Sequence, residues 1–161
     1  MPAKQFSLLI CLLISSAPVA FSQDTEQAPD VSEQIESMRA ATEMERKILI
    51  MKEMNMTETE AERFWPLYEE YRGKMKQVGD IRVRIITDYA ASYSTMTNEL
   101  AEELLDDYVD YMDEKQSLTK KYIKKFRAIL PDIKVTRYFQ LEHKLDAVVD
   151  YQLAGRIPLV E

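Results

Sequence analysis

The sequence predicts an all-α protein, and three observations carry that prediction. Apolar residues recur every three or four positions through each long segment after residue 30, which is the period of an amphipathic helix. The chain holds three glycines, too few for a sheet built on tight hairpin turns. Capping residues and prolines fall between the periodic segments and divide them into four. These four helical segments are expected to form a long bent helical hairpin or a small bundle.

The first 22 residues are predicted to be a cleaved export signal. Lys4 supplies a positive charge, an apolar stretch follows, and Ala20-Phe21-Ser22 fits the small-x-small cleavage rule. The apolar stretch is shorter than the roughly 20 residues of a spanning helix, so no stable membrane insertion is expected after cleavage. The predicted organisation is a signal peptide at 1–22, a flexible tail at 23–30, one helical domain at 31–155 and an extended C-terminal tail at 156–161.

Composition narrows the classes of function. Cys11 is the only cysteine and lies inside the leader, so the mature chain has no disulfide or thiolate chemistry. The leader carries one lysine and no acidic residue, so its removal changes the net charge from −7 to −8. Nucleic acid is therefore not an expected partner, because phosphate binding needs clustered lysine and arginine. An exported chain free of cysteine suits the bacterial periplasm, which is the expected location.

The first helix is predicted over 31–54. Five of the eight methionines of the mature chain lie between Met38 and Met56. This clustering leaves three interpretations open: flexible filling of a helix interface, a surface that adapts to apolar partners, or a soft ligand set for Cu(I). The apolar stripe of this helix is expected to run through Val31, Ile35, Met38, Thr42, Ile48 or Leu49, Met51 and Met54.

The second helix is predicted to begin with a capping box, in which Thr57 is the N-cap and Glu60 the third helical residue. Pro66 lies about two turns inside and is expected to bend the helix, because it removes a backbone hydrogen bond. Arg82 interrupts the apolar stripe, and the helix is expected to end near Tyr93. The stripe consists of Phe64, Tyr68, Tyr71, Met75, Val78, Ile85 and Tyr89.

The third helix has a seam of near-heptad spacing about thirty residues long, with one lysine in it. Pro131 then suits the first turn of a fourth helix, and Gly155 suits its C-terminal cap. The seam of the third helix comprises Leu100, Leu104, Tyr108, Tyr111, Lys115, Leu118, Tyr122, Phe126 and Ile129. The fourth helix carries Val135, Tyr138, Phe139, Leu145, Val148, Val149 and Leu153.

Charge is polarised along the second and third helices, with acids near their starts and bases near their ends. This arrangement complements the helix dipole and favours antiparallel pairing, either within the chain or between two copies in a homodimer. The acidic residues Asp106, Asp110, Asp113 and Glu114 are expected to form a solvated face of the third helix, because no loop with glycine is present to fold around a calcium ion.

Residues suited to catalysis are few. His143 is the only histidine and is expected to be a solvated surface residue. No second histidine or thiolate is present to complete a zinc site, and no G-x-S-x-G segment occurs. The chain is therefore expected not to be an enzyme and to carry no cofactor, and no residue is assigned as catalytic or as a metal ligand.

Two segments 40 residues apart, NMTETEAERF from Asn55 and TMTNELAEEL from Thr95, share a Met-Thr start that suits a helix N-cap. With the helical composition, the segment from Met56 to Glu60 resembles the LTxxQ motif of the Spy/CpxP-like periplasmic family. A degenerate second copy is Leu130-Pro131-Asp132-Ile133-Lys134, in which proline and lysine stand at the family's threonine and glutamine positions. The resemblance implies helical hairpins that pair into antiparallel dimers. It also implies ATP-independent chaperones, inhibitory partners of envelope stress sensors, or metal sensors in related branches.

The leading hypothesis is a periplasmic interaction protein that binds apolar segments of unfolded or envelope stress-sensor proteins. Alternatives are a copper-binding or metal-sensing protein and a structural assembly subunit. The motif and capping positions are Thr57, Glu60 and Pro131. The residues predicted to bind partners are Met51, Met54, Met56, Phe64, Trp65, Tyr68 and Tyr71.

Overall fold

The computed structural model describes residues 31–160, with side chains from Ala40 onwards; the predicted signal peptide and N-terminal tail lie outside them. Over this range the chain forms four α-helices, one short 3-10 helix and no strand, which confirms the all-α prediction. The elements are α1 (Val31–Glu53), α2 (Glu58–Ser92), the 3-10 helix (Tyr93–Thr95), α3 (Asn98–Arg127) and α4 (Asp132–Ala154).

The starts of α2 and α3 are capped by threonines, as their sequences predict. The Glu60 amide donates to Thr57 Oγ1 at 3.3 Å, and the Thr57 amide donates to Glu60 Oε2 at 2.8 Å, which completes the capping box. Thr97 Oγ1 accepts from the Leu100 amide at 3.3 Å. Both Met-Thr segments are therefore helix N-termini, where a side-chain oxygen satisfies an amide that has no partner within the helix.

Proline and glycine mark the boundaries of α4. Pro131 is the N-cap, directly before the first helical residue, Asp132. Gly155 is the C-cap, and its amide donates to the carbonyl of Tyr151 at 3.4 Å. Pro66 lies inside α2, which is continuous from its first to its last residue.

The two longest helices, α2 and α3, form an antiparallel hairpin. Away from the connecting turn, the rings of Tyr71 and Tyr122 lie 5.0 Å apart between their centroids. Nearer the turn, Arg84 on α2 lies 3.3 Å from the Asp107 carboxylate on α3. From the first pair to the second, the residue number rises on α2 and falls on α3, so the two helices are antiparallel. This is the arrangement that the charge polarity favours, and here it occurs within one chain.

Helix α4 runs parallel to α2 and antiparallel to α1, and each helix of this small bundle is antiparallel to the next one in the chain. Its first turn contacts the start of α2 through Lys134 and Glu60, and its last turns contact α2 through Asp150 and Arg82. After α4, the Tyr89 hydroxyl on α2 donates to the Pro158 carbonyl at 2.8 Å. The C-terminal segment therefore follows the hairpin toward its turn.

The core of the bundle is rich in aromatic rings. Phe126 and Tyr138 have ring centroids 4.7 Å apart, and Phe64 meets Tyr138 at 5.1 Å in an edge-to-face arrangement. Large rings with these geometries fill the space between helices and exclude water. The buried core consists of Ile50, Met54, Phe64, Tyr68, Tyr71, Tyr122, Phe126, Leu130, Val135 and Tyr138, with a smaller cluster of Val78, Ile85 and Tyr111 nearer the turn.

The buried face of α1 differs from the predicted stripe. Ile50 and Met54 are buried, whereas Ile48 and Met51 are exposed. Arg46 lies on the buried face because it pairs with carboxylates of α4. A pattern that assigns every charged residue to solvent therefore places this helix in the wrong rotation about its axis.

Candidate interaction surface

Most of the residues predicted to bind partners are part of the core. Met54, Phe64, Tyr68 and Tyr71 are each at most 2% exposed. Their rings and thioether pack against residues of α3 and α4, so in this conformation a partner protein has no access to them.

Three predicted residues lie nearer the surface. Trp65 is half-buried and meets Phe64 edge to face with 5.1 Å between ring centroids, and the ammonium of Lys47 lies 5.4 Å from the Trp65 ring. Met56 is half-buried against the core, whereas Met51 is exposed. The methionines at 51, 54 and 56 thus have three different environments and do not form a common ligand set.

A surface that the sequence did not single out lies on the first half of α3. Leu105, Tyr108, Val109 and Met112 are between 45% and 61% exposed. Their spacing of three or four residues places them next to one another on the helix surface. We call these four residues the α3 stripe. It is a continuous row of exposed apolar side chains on the helix surface.

A second exposed apolar row lies on α1. Met44, Ile48 and Met51 are between 58% and 67% exposed and follow one another at helical spacing. We call these residues the α1 stripe. Exposed apolar residues on α4 are more dispersed: Ile133 lies fifteen positions before Val148.

Carboxylates border the α3 stripe. Glu102 lies three residues before Leu105, and Asp106 and Asp113 lie three residues before and four residues after Val109. All three carboxylates are exposed, and none forms an ion pair with another residue in the described part of the chain. We call Glu102, Asp106 and Asp113 the acidic border.

An ion network with a buried centre, Arg46 and Glu142, connects α1 to the other helices. Arg46 donates to Glu142 Oε2 at 2.6 Å and to Asp146 Oδ1 at 3.0 Å. Arg72 on α2 donates to the same Glu142 oxygen at 3.1 Å and to Glu43 on α1 at 2.9 Å. The sixth member, Lys115 on α3, lies 3.0 Å from Asp146.

The ion network is electrically balanced, since it holds three cations and three carboxylates drawn from all four helices. Burial raises the pKa of Glu142, although the adjacent guanidinium groups of Arg72 and Arg46 oppose that shift. Burial also opposes ionisation of Asp146, but the charges of Lys115 and Arg46 outweigh it and lower its pKa. Compensation of this kind is required for charges removed from water.

One cation of this network, Lys115, and one outside it, Arg82, had a signal in the sequence. Arg82 and Lys115 interrupt apolar stripes, and each pairs with a carboxylate of α4, Asp150 and Asp146 respectively. Arg46 gave no such signal, because α1 is predicted equally well with that residue facing solvent.

The two family-like motifs meet in space. Lys134, at the fifth position of the second motif, forms an ion pair with Glu60, at the fifth position of the first. Lys134 also donates to the carbonyl of Asn55, which has a positive φ of 44° in the turn between α1 and α2. The lysine that departs from the motif thus connects the start of α4 to the start of α2, and it lowers the pKa of Glu60.

An open groove of about 400 Å³ lies between α3 and α4. His143 is at its rim and is exposed, in agreement with its prediction as a surface residue. The groove is lined by Ile123, Arg127, Val135, Thr136, Phe139, Gln140 and His143.

Two searches of the described residues were negative. No group of three or more histidine, cysteine, aspartate or glutamate side chains within 40–160 is arranged to hold a metal ion. No helix in the described range is long and apolar enough to cross a membrane.

The chain matches no protein-family model, no curated protein and no solved structure. The resemblance to the Spy/CpxP-like family therefore stays a prediction based on the motifs alone.

Proposed function

We propose that this chain is a periplasmic interaction protein that binds apolar segments of partner polypeptides without ATP, either as a chaperone or as a modulator of an envelope stress sensor. The observation that carries the proposal is the α3 stripe, four large apolar side chains that lie together on an exposed helix face. Methionine in the α1 and α3 stripes supports it, because a flexible, polarisable side chain fits many apolar partners.

Because most of the residues predicted to bind partners are buried, binding is proposed at other positions. The aromatic residues of α2 belong to the buried core, and the exposed stripes of α3 and α1 are the proposed binding faces. Of the seven residues predicted from sequence to bind partners, Met51 is the one that belongs to an exposed stripe.

The proposal is tested by light scattering of an aggregating client protein. The chain is expected to suppress scattering at a few-fold molar excess, and the Leu105→Ser/Val109→Ser/Met112→Ser variant is expected to lose most of that suppression. These positions are exposed, so the variant is expected to keep its helicity by circular dichroism and its melting temperature.

A matched control removes the same number of exposed apolar side chains from α4, with Ile133→Ser/Val148→Ser/Tyr151→Ser. The control is expected to suppress scattering as well as the unmodified chain does. Absence of suppression by the unmodified chain, with several clients of different charge, would reject the proposed function.

A further inference from the structure

We propose that the α3 stripe selects a cationic amphipathic polypeptide segment, one whose apolar face is flanked by lysine or arginine. The proposal rests on the proposed function, because it names the partner of the same surface. It follows from the combination of two features of α3, the exposed apolar side chains and the carboxylates that border them.

The first half of α3 is uniformly acidic. Eight carboxylates and no cation lie between Glu99 and Glu114. Within the described residues, Asp107 is the one among them with an ion-pair partner, Arg84 on α2. The acidic border therefore carries three carboxylates that have no ion-pair partner among the described residues. A partner with flanking lysine or arginine supplies the compensating charge, and an acidic partner adds repulsion.

The carboxylates also repel one another in the free protein. Glu102 and Asp106 are four residues apart, as are Asp106 and Asp110, and like charges at this spacing destabilise a helix. A cationic partner relieves this repulsion when it docks. Apolar contact and charge neutralisation thus favour the same occupant.

The α1 stripe provides an internal comparison. The charged residues next to it, Glu45, Lys47 and Lys52, have both signs. We expect the α1 stripe to show no preference for the charge of its partner. Selection by charge therefore belongs to α3.

The test uses the whole chain and two fluorescent amphipathic helical peptides with identical apolar residues, one with lysine and one with glutamate at the polar positions. Fluorescence anisotropy at low salt is expected to show about fivefold tighter binding of the lysine peptide, about 1 kcal/mol, which is the effect of three weak exposed charge pairs. Added salt is expected to reduce this difference, because it screens exposed charges.

Two variants separate the contributions of charge and apolar contact. Glu102→Gln/Asp106→Asn/Asp113→Asn is expected to bring the two affinities together without abolishing binding, whereas Leu105→Ser/Val109→Ser/Met112→Ser weakens the binding of both peptides. The control Glu58→Gln/Glu62→Gln/Asp88→Asn removes three exposed carboxylates from α2 and is expected to keep the preference for the lysine peptide.

The outcomes distinguish this proposal from the proposed function. Equal affinity for both peptides overturns the charge selection and leaves the binding of apolar segments standing. Failure to bind either peptide, together with no suppression of aggregation, rejects both. Sedimentation that shows a dimer which the α3 stripe variant dissociates would overturn the named occupant, because the stripe would then contact a second copy of the chain.

Discussion

Arg46 is the residue that decides how α1 is oriented. Its guanidinium is almost fully buried and lies between two carboxylates of α4. The neighbouring Lys47 is exposed and pairs with an exposed Glu69. Arg46 and Lys47 therefore contribute differently to stability. Because Arg46 is buried, hydration does not replace an ion-pair partner that is lost there.

Replacement of Arg46 by methionine is expected to lower the free energy of unfolding by about 3 kcal/mol, since it leaves the three carboxylates of the ion network with two cations, Arg72 and Lys115. Lys47→Met is the matched control and is expected to cost about 1 kcal/mol or less, the value of an exposed ion pair. Chemical denaturation of both variants measures the difference. Equal losses would show that the Arg46 site is open to water.

At the scale of single elements, α2 contains two glycines that no close packing contact requires. A Cβ atom added at Gly73 or at Gly79 meets no atom within 4 Å. Neither glycine has a positive φ. Both positions therefore carry the conformational cost of glycine in a helix without a close contact that would require it.

The Gly73→Ala and Gly79→Ala substitutions are each expected to stabilise the protein by about 0.5–1 kcal/mol, because alanine restricts the unfolded chain and favours the helix. Thermal and chemical unfolding of the single and double variants measure the effect. Gly155→Ala is the control, expected to change stability by at most about 0.5 kcal/mol, because Gly155 follows the last helical residue. Destabilisation by either helix substitution would contradict the open space around these glycines.

At the scale of the whole molecule, the four helices bury tyrosines whose hydroxyl pKa values are raised. Burial raises the pKa of Tyr71 to about 12, and burial together with the Glu70 carboxylate raises that of Tyr122 to about 12. The pKa values of Tyr68 and Tyr138 are raised as well, with burial as the largest cause. Since these groups ionise more easily in the unfolded chain, stability is retained below their ordinary value of 10 and falls as the pH rises above it.

Alkaline titration is therefore expected to show two phases of tyrosinate absorbance. The second phase, from the tyrosines whose pKa is raised, is expected to coincide with loss of helical circular dichroism, because ionisation of Tyr68, Tyr71, Tyr122 and Tyr138 requires the core to open. Ionisation of all nine tyrosines in one step, with the helices intact, would contradict the enclosed aromatic core.

The sequence by itself determined the fold class, the four helices and their caps. Periodicity, the threonine caps at 57 and 97, and the proline and glycine at the limits of α4 act within a few residues of one another. These interactions join residues that are close in sequence, so they can be predicted from the sequence alone. The charge polarity was compatible with antiparallel pairing either within the chain, as α2 and α3 pair, or between two copies.

Only the tertiary structure decided which apolar residues are core and which are surface. Tyr68 and Met112 each belong to an amphipathic helix, yet the first is buried and the second is half exposed. Helical periodicity identifies an apolar stripe, but it determines neither the width of the buried face nor the rotation of the helix about its axis. On α1 that rotation was set by Arg46 through carboxylates about a hundred residues away in sequence. The α3 stripe exists because the neighbouring helices cover one side of α3 and leave that flank open, which no local pattern records.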